Sequence, residues 1–172
     1  MITATIPTTT TGRGEATGPE PAWIQLAGVA FWATFSERGL TRLEFADTPT
    51  AGTPGSTPAA AQLAQELQEY LSGQRRSFSV PVDLSACPAF QQQVLAACRE
   101  VPAGAVVTYA ELARRIGRPH AARAVGMALA RNPVPVVVPC HRVVRGDGGL
   151  GGYLAGLAWK RRLLQLEGVS LP

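Results

Sequence analysis

The chain has 172 residues, a formal net charge of +4, 46% hydrophobic residues and three cysteines. A chain of this length forms one domain of ordinary size, or one with a small appended module, and can build its core without disulfides or a metal. Three cysteines without a Cys-x-x-Cys pair, and only two histidines, argue against a structural zinc site. No apolar run approaches the roughly 20 residues of a membrane helix, and residues 1–20 lack a signal-peptide core. We therefore expect a protein of a reducing, cytoplasmic compartment.

The positive charge is concentrated in the second part of the chain. Residues 1–100 contain six Arg and Lys against nine Asp and Glu, a balance of −3. Residues 101–172 contain ten against three, a balance of +7. A basic half indicates an anionic partner such as nucleic acid, but arginine-rich sequences also arise from base composition. Charge by itself leaves both explanations open.

The first part of the chain predicts a small α+β domain over residues 21–84. Residues 1–20 are rich in Thr, Gly and Pro and are expected to form a disordered tail, because they hold too few large apolar groups to offset the entropy of ordering. Turn residues then alternate with β-branched and aromatic runs. Three short strands are predicted, over residues 23–27, 29–35 and 40–45.

The same domain is expected to contain one helix and an edge strand. A linker rich in Pro, Gly, Thr and Ser covers residues 47–58. Apolar residues at i, i+4, i+7 and i+8 predict an amphipathic helix over residues 59–71. Residues 78–84 alternate apolar and polar side chains, and Pro81 cannot donate to a ladder, so the pattern predicts a strand at a sheet edge.

Residues 85–172 predict a second, mostly helical domain. One helix begins at Pro88, since proline suits the first turn. Thr108 starts a Thr-x-x-Glu capping box that opens a helix over residues 109–116, and a further helix runs from residue 119 to about 130. Two helices joined by a short turn containing glycine are typical of a helix-turn-helix, which binds DNA in many proteins and only packs in others.

The second of these helices carries small residues along one face. Arg123 is the single long side chain expected there, near a turn that is rich in arginine. Small residues allow close approach either by a neighbouring helix or by a nucleic-acid backbone. The small residues are Ala121, Ala122, Ala124, Gly126, Ala128 and Ala130.

A cysteine and a histidine follow a rigid apolar run. Pro139 precedes Cys140 and His141 at the end of a segment rich in Val and Pro. A thiol is reactive as the thiolate, and an imidazole that accepts its proton raises the reactive fraction. Neighbouring side chains of a strand point to opposite faces, so the pair can cooperate only if the backbone turns there. A cysteine hydrolase is the general hypothesis from these residues, whereas Cys87 and Cys98 are expected to be core residues.

The segment around Cys140 resembles a known active-site motif. Pro139-Cys140-His141-Arg142-Val143 is similar to the acceptor motif of the O6-alkylguanine-DNA alkyltransferases, also called methylated-DNA–protein-cysteine methyltransferases. The resemblance covers residues 90–168 almost without a gap, and residues 38–45 match the family's variable first domain only loosely. Further motifs follow in the family's order: Thr108-Tyr109 with Glu111-Leu112-Ala113, Ala121 to Gly126, Arg131-Asn132-Pro133, Gly152-Tyr153, and Leu163-Leu164 with Glu167-Gly168.

The resemblance implies direct repair of DNA by alkyl transfer. The family moves an alkyl group from O6 of guanine to its own cysteine, which is Cys140 here. The resemblance also implies that His141 is the base acting through a water, and that Glu167 orients His141. Asn132 helps fix the active-site turn, and Tyr109 is the candidate proton donor to the leaving guanine. No cofactor and no metal are implied.

The resemblance also implies how DNA is held. The target nucleotide has to leave the duplex, and Arg123 takes its place from a helix lying in the minor groove. The other expected DNA contacts are Thr108, Tyr109, Ala121, Ala122 and Gly126. The expected pocket residues are Tyr109, Val143, Tyr153 and Leu154.

One departure from the family concerns the pocket rim. Leu154-Ala155-Gly156 stands where many relatives have a small or polar residue and two glycines, so we expect poorer tolerance of bulky alkyl groups. The partner implied is double-stranded DNA containing O6-alkylguanine, with no membrane, and the protein is expected to be a monomer near the nucleoid. Cooperativity on DNA is left open. The alternatives are an alkyltransferase-like protein that only binds the lesion, which Cys140 argues against, and the cysteine hydrolase.

Overall fold

A computed structural model describes residues 21–46 and 57–170 of the chain. The tail expected over residues 1–20 and nearly all of the linker expected over residues 47–58 lie outside these ranges. The predicted α+β class is confirmed: a small antiparallel sheet is followed by five α-helices. No helix within the described ranges is long and apolar enough to cross a membrane.

Three antiparallel strands form the N-terminal sheet in the order β1-β2-β3. Gly28, with φ of 80°, supplies the left-handed residue of the first tight turn. Phe31 and Ala33 of the central strand are fully buried, while Trp32 between them is only half-buried. The strands are β1 Ala22–Leu26, β2 Val29–Ser36 and β3 Gly39–Ala46.

Helix α1, Pro58–Leu71, packs against this sheet. Thr57 caps it, because its hydroxyl oxygen accepts a hydrogen bond from the Ala60 amide at 3.2 Å. Of the apolar stripe predicted from the sequence, Leu63, Leu67 and Tyr70 are buried and Leu71 is half-buried. This stripe is what places a tyrosine at the boundary between the two halves of the chain.

The edge strand expected over residues 78–84 is wrong in extent. Only Val82 forms a bridge, parallel to Leu40 of β3. Its flanking hydrogen bonds run from the Leu40 amide to the Pro81 carbonyl and from the Asp83 amide to the Leu40 carbonyl. Proline lacks a donor, and the segment crosses β3 at one point instead of running along it.

The C-terminal part contains four helices around a two-stranded parallel pair that the sequence did not predict. Strand β4, Val107–Thr108, pairs with β5, Val143–Val144, and so brings the start of one helix beside the cysteine segment. Thr108 caps the following helix as predicted, accepting from the Glu111 amide at 3.1 Å. The helices are α2 Ala89–Arg99, α3 Tyr109–Arg115, α4 Ala122–Ala130 and α5 Leu157–Leu166.

Two expectations about α4 need correction. It begins at Ala122 and not at residue 119, because the Ala121 amide bonds to the Arg118 carbonyl in a preceding turn. Ala128 is buried, so it does not belong to the open face. Met127 lies one turn after Arg123 and is 55% exposed, so Arg123 is not the single long side chain there.

One hydrophobic core runs through both halves of the described chain. The Leu43 amide of β3 donates to the Pro133 carbonyl at 2.8 Å, which ties the sheet to the segment before the cysteine. Phe45 of β3 packs on Trp159 of α5, with ring centroids 4.9 Å apart. The N-terminal sheet therefore supports the cysteine segment and the last helix directly.

Candidate active site

The segment between α4 and the cysteine is held by one buried amide. Asn132 Oδ1 accepts from the Val134 amide at 3.0 Å, and its Nδ2 donates to the Val138 carbonyl at 2.9 Å. Val136 has φ of 74°, a left-handed conformation that is costly for a β-branched residue, of the order of 1–3 kcal/mol. The burial of the surrounding valines and the two hydrogen bonds of Asn132 hold the segment in this conformation.

Cys140 lies at the start of a single 3₁₀ turn, Cys140–Arg142, so the backbone does turn between the cysteine and the histidine. Its side chain is buried, and Asn132 Nδ2 lies 3.1 Å from Sγ. Burial raises the pKa of the Cys140 thiol, while the Asn132 hydrogen bond and the charge of Lys160 act in the opposite direction. The surroundings therefore hold a neutral thiol that has partial support for the thiolate.

His141, Arg142 and Glu167 form a buried polar cluster beside Cys140. His141 Nε2 lies 3.0 Å from Glu167 Oε1. The Arg142 guanidinium donates to both carboxylate oxygens, at 2.8 Å to Oε1 and 3.0 Å to Oε2. Burial opposes the charge on Glu167, but hydrogen bonds from His141 and Arg142 outweigh it and hold the pKa of that carboxyl well below its usual range.

These contacts determine which ring nitrogen of His141 bears the proton. An ionised Glu167 can only accept, so the Nε2–H must donate. Nδ1 is then the basic nitrogen of a neutral ring, and burial lowers the pKa of the imidazole further. Nδ1 is buried and has no hydrogen-bond partner within the described residues. His141 is thus a neutral base with one available lone pair.

Three members of the site, Tyr70, Arg142 and Lys160, were not among the site residues predicted from the sequence. Tyr70 of α1 donates its hydroxyl to Glu167 Oε1 at 2.6 Å. Lys160 is fully buried, and its Nζ donates to the carbonyls of Val143 at 2.6 Å and Gly152 at 3.2 Å. A buried lysine surrounded by carbonyls could have been suspected from the single Lys in the chain, whereas nothing local distinguishes Tyr70 from a core aromatic.

A cavity of about 840 Å³ opens beside Cys140, between α4 and the loop before α5. Leu154, 62% exposed, and Met127 stand at its rim. Tyr109 forms part of its wall, and a Cβ at Gly151 would lie 2.5 Å from Tyr109 Oη, so this wall requires glycine. The lining residues are Tyr109, Ala122, Arg123, Gly126, Met127, Leu129, Ala130, Cys140, Arg145, Gly151, Gly152, Tyr153 and Leu154.

Three of the predicted DNA-contact and pocket residues lie outside this wall. Thr108 uses its hydroxyl to cap α3, and Ala121 precedes the first turn of α4. Val143 is fully buried behind the cavity, and Lys160 binds its carbonyl. Tyr153 does line the cavity, and its hydroxyl is buried without a partner within the described residues.

The described residues offer no cluster of three or more His, Cys, Asp or Glu side chains that could hold a metal ion. The polar groups that act on Cys140 comprise one donor to sulfur, Asn132, and one buried lysine whose charge lowers the pKa of the thiol, Lys160; His141 is a neutral base next to it in the chain. Such a set can support a thiolate, accept its proton and admit a planar group through the cavity. It is suited to nucleophilic attack by sulfur.

Both halves of the chain match models of one protein family. Residues 89–169 match "6-O-methylguanine DNA methyltransferase, DNA binding domain". Residues 30–84 match "6-O-methylguanine DNA methyltransferase, ribonuclease-like domain".

Individual relatives agree with these matches. The constitutive methylated-DNA–protein-cysteine methyltransferase of Bacillus subtilis is 43% identical over 115 residues, which cover 66% of this chain and 69% of the relative. The methylated-DNA–protein-cysteine methyltransferase of Methanothermobacter thermautotrophicus is 42% identical over 114 residues, which are 66% of this chain and 64% of the relative. The chain thus spans about two thirds of the length of the curated relatives that it matches.

Solved structures show the same likeness over more of the chain. The crystal structure of Mycobacterium tuberculosis OGT in complex with DNA superimposes with a TM-score of 0.77 and 34% identity, covering 86% of this chain and 91% of that chain. The O6-methylguanine methyltransferase of the same organism gives a TM-score of 0.76 at 33% identity, covering 89% and 94%.

Proposed function

The chain belongs to the 6-O-methylguanine DNA methyltransferase family, and from this membership together with the site geometry we propose that it repairs O6-alkylguanine in DNA by transferring the alkyl group to Cys140. It would act as a methylated-DNA–[protein]-cysteine S-methyltransferase. The observation that carries the proposal is that Cys140 faces a cavity beside α4 while a neutral, buried histidine adjoins it in the chain.

The chemistry is a displacement at the alkyl carbon. Cys140 Sγ attacks that carbon, the new C–S bond forms, and the bond between carbon and guanine O6 breaks with its electron pair passing to guanine. The thiol proton passes through a bridging water to His141 Nδ1. The leaving guanine takes up one proton, so no net proton is gained or lost. Neither a cofactor nor a metal is needed for the balance.

Glu167 is a positioning residue in this scheme. Glu167 accepts the hydrogen bond from His141 Nε2 and thereby keeps Nδ1 unprotonated. Arg142 keeps the Glu167 carboxylate ionised. Asn132 supports the thiolate at 3.1 Å and also fixes the segment that carries it. The catalytic group is thus held by contacts on both sides, as transfer in a single orientation requires.

Tyr109 is the proposed proton donor to the leaving guanine. It lines the cavity together with Cys140, and burial raises the pKa of its hydroxyl, so the proton stays in place near neutral pH. Tyr153 lines the same cavity, and Leu154 limits its mouth. Backbone groups near Val143 would contact the base edge.

Helix α4 is the proposed DNA-binding element. Its half-buried start is small at Ala122 and at Ala121 just before it, so it suits the narrow minor groove, about 6 Å across. Arg123 reaches the cavity mouth and would replace the extruded nucleotide, which lowers the cost of a few kcal/mol for flipping. Gly126 packs under Tyr109 and keeps this surface open, and Thr108 would approach the phosphate that rotates.

The product predicts a single turnover. A thioether has no dissociable proton and is a poor electrophile, so an alkylated Cys140 has no easy route back to the thiolate. The protein would act as a monomer that accepts one alkyl group per chain.

The test is intact-mass spectrometry after incubation with a duplex containing O6-methylguanine. We expect a gain of one methyl group that saturates at one per chain and maps to Cys140. Cys140→Ser should gain nothing, whereas Cys98→Ala, which removes another buried thiol, should still gain one. Tight DNA binding without a mass gain would refute transfer and favour a protein that only binds the lesion, and turnover of a thioester substrate without a lasting adduct would favour a hydrolase.

A further inference from the structure

Tyr70 connects the N-terminal part of the chain to the site around Cys140. It lies at the end of α1, is only 1% exposed, and is separated from His141 and Glu167 by 71 and 97 residues of sequence. Its ring packs against Phe78 at 5.2 Å between centroids. Within residues 21–46 and 57–170, the other polar side chains that contact the Glu167 carboxylate come from the C-terminal part.

The hydroxyl of Tyr70 contacts both Glu167 and His141. It lies 2.6 Å from Glu167 Oε1 and 3.3 Å from His141 Nε2. Because the carboxylate is ionised, the tyrosine proton must point to Glu167, which also accepts the His141 Nε2–H at the shorter distance of 3.0 Å. Burial and the nearby carboxylate charge both raise the pKa of Tyr70, so the hydroxyl remains a donor at neutral pH.

Three donors therefore meet at one oxygen, Glu167 Oε1. They are Tyr70 Oη at 2.6 Å, Arg142 at 2.8 Å and His141 Nε2 at 3.0 Å. Each donor draws on the same negative charge, so the bond from Tyr70 leaves less of it to stabilise a protonated imidazole. The tyrosine thus favours the neutral ring that can accept a proton.

We propose that Tyr70 is a positioning residue of the alkyl transfer, which holds His141 as the neutral Nε2–H tautomer through Glu167, and that the N-terminal part of the chain thereby takes part in the chemistry. The inference rests on the proposed function. It differs from a scaffolding role because it assigns one hydroxyl, and not the packing of α1, to the reaction.

Tyr70→Phe is the decisive variant. It keeps the ring and its packing on Phe78, and it leaves Glu167 Oε1 with two donors, so the variant should fold. Without the hydroxyl, Glu167 keeps more of its negative charge for the imidazole, so the pKa of His141 should rise. The rate of methyl transfer should fall about three- to tenfold on the acid side of its pH profile and approach the parent rate at higher pH.

A matched control separates this effect from loss of stability. Leu67→Val removes buried volume from the same helix, one turn earlier, and alters no polar atom. Its transfer rate, if reduced, should be reduced by the same factor at every pH. Equal slowing of Tyr70→Phe at every pH would show a structural role only and would overturn the proposal.

A spectroscopic measurement tests the proposal even where the transfer rate falls only at a pH too low to measure. The chain has two histidines, so ¹⁵N labelling of histidine gives few signals, and His120→Gln assigns them. We expect His141 to be the neutral Nε2–H tautomer in the parent and its titration midpoint to be higher in Tyr70→Phe. Unchanged midpoints together with unchanged pH profiles would also overturn the proposal. A parent protein that transfers no methyl group would instead refute the proposed function.

Discussion

Asn132 Nδ2 lies 3.1 Å from Cys140 Sγ and, at 2.9 Å, also donates to the Val138 carbonyl two residues before the cysteine. One amide therefore supports both the sulfur and the segment that carries it. The Val134 amide donates to Asn132 Oδ1 at 3.0 Å, so both ends of the side chain are hydrogen-bonded. A side chain with an acceptor at one end and a two-hydrogen donor at the other is needed here, and asparagine is the shortest that provides both.

Asn132→Asp should raise the pKa of the Cys140 thiol and slow transfer by about tenfold or more. The new oxygen faces sulfur and the Val138 carbonyl with negative charge, while the bond from the Val134 amide is kept. The pH dependence of Cys140 alkylation, followed by peptide mass mapping, measures the effect.

The control is Gln91→Glu, which makes the same change at a buried amide that donates to the Ala128 and Arg131 carbonyls. It should destabilise the protein without moving the thiol pKa. Equal thiol pKa values in both variants and the parent would contradict the role given to Asn132.

Lys160 should make stability depend on pH above neutrality. Burial lowers the pKa of Lys160 to about 8, below that of an unfolded lysine, so the unfolded chain binds more protons between about pH 8 and 10.5. The penalty for burying the charge is present below pH 8 and is relieved as pH rises, by at most about 3 kcal/mol. Urea unfolding across this range should show a rise in the free energy of unfolding with pH that Lys160→Met lacks.

The comparison with Lys160→Met isolates this group, because tyrosines and cysteines titrate in both proteins. The variant should also be less stable throughout, since the carbonyls of Val143, Leu150 and Gly152 lose their donor. Parallel curves for the two proteins would mean that Lys160 keeps an ordinary pKa.

Arg123→Ala should weaken DNA binding and slow transfer from a duplex, while transfer from free O6-benzylguanine largely persists. The side chain lies at the cavity mouth, on the exposed face of α4. Arg99→Ala removes the same charge from a site outside this cavity and serves as the matched control. Similar losses on both substrates would refute the assigned role of Arg123.

Leu154→Ser should improve acceptance of bulky alkyl groups. Leu154 stands 62% exposed at the rim of the cavity, so shortening it widens the mouth at little cost to stability. The ratio of benzyl to methyl transfer rates should rise about three- to tenfold, a difference of about 1 kcal/mol in the barrier. Leu157→Ser, also exposed but not in this cavity, should leave the ratio unchanged; an unchanged ratio in Leu154→Ser would show that the rim does not select.

Local sequence rules were sufficient for much of the fold. The stripe of α1 and the cap at Thr108 depend on periodicity and on one side-chain hydrogen bond, both readable over a few residues. The rules failed where neighbours distant in sequence decide. Residues 78–84 alternate like a strand, yet they touch β3 at a single bridge. On α4 the composition suggested one open face, but packing turned Ala128 inward and Met127 outward.

The sequence by itself determined the chemistry: a cysteine and histidine after a rigid proline-rich run, in a basic C-terminal half, with motifs whose order identifies the family. Only the tertiary structure decided how that pair is held. Glu167 looks like a solvated helix end in the sequence, but the fold buries it among His141, Arg142 and Tyr70. Lys160 likewise is the sole lysine of the chain, and the fold turns it inward onto carbonyls. Such contacts join residues up to 97 positions apart, and their energy comes from shared burial, which no local pattern records.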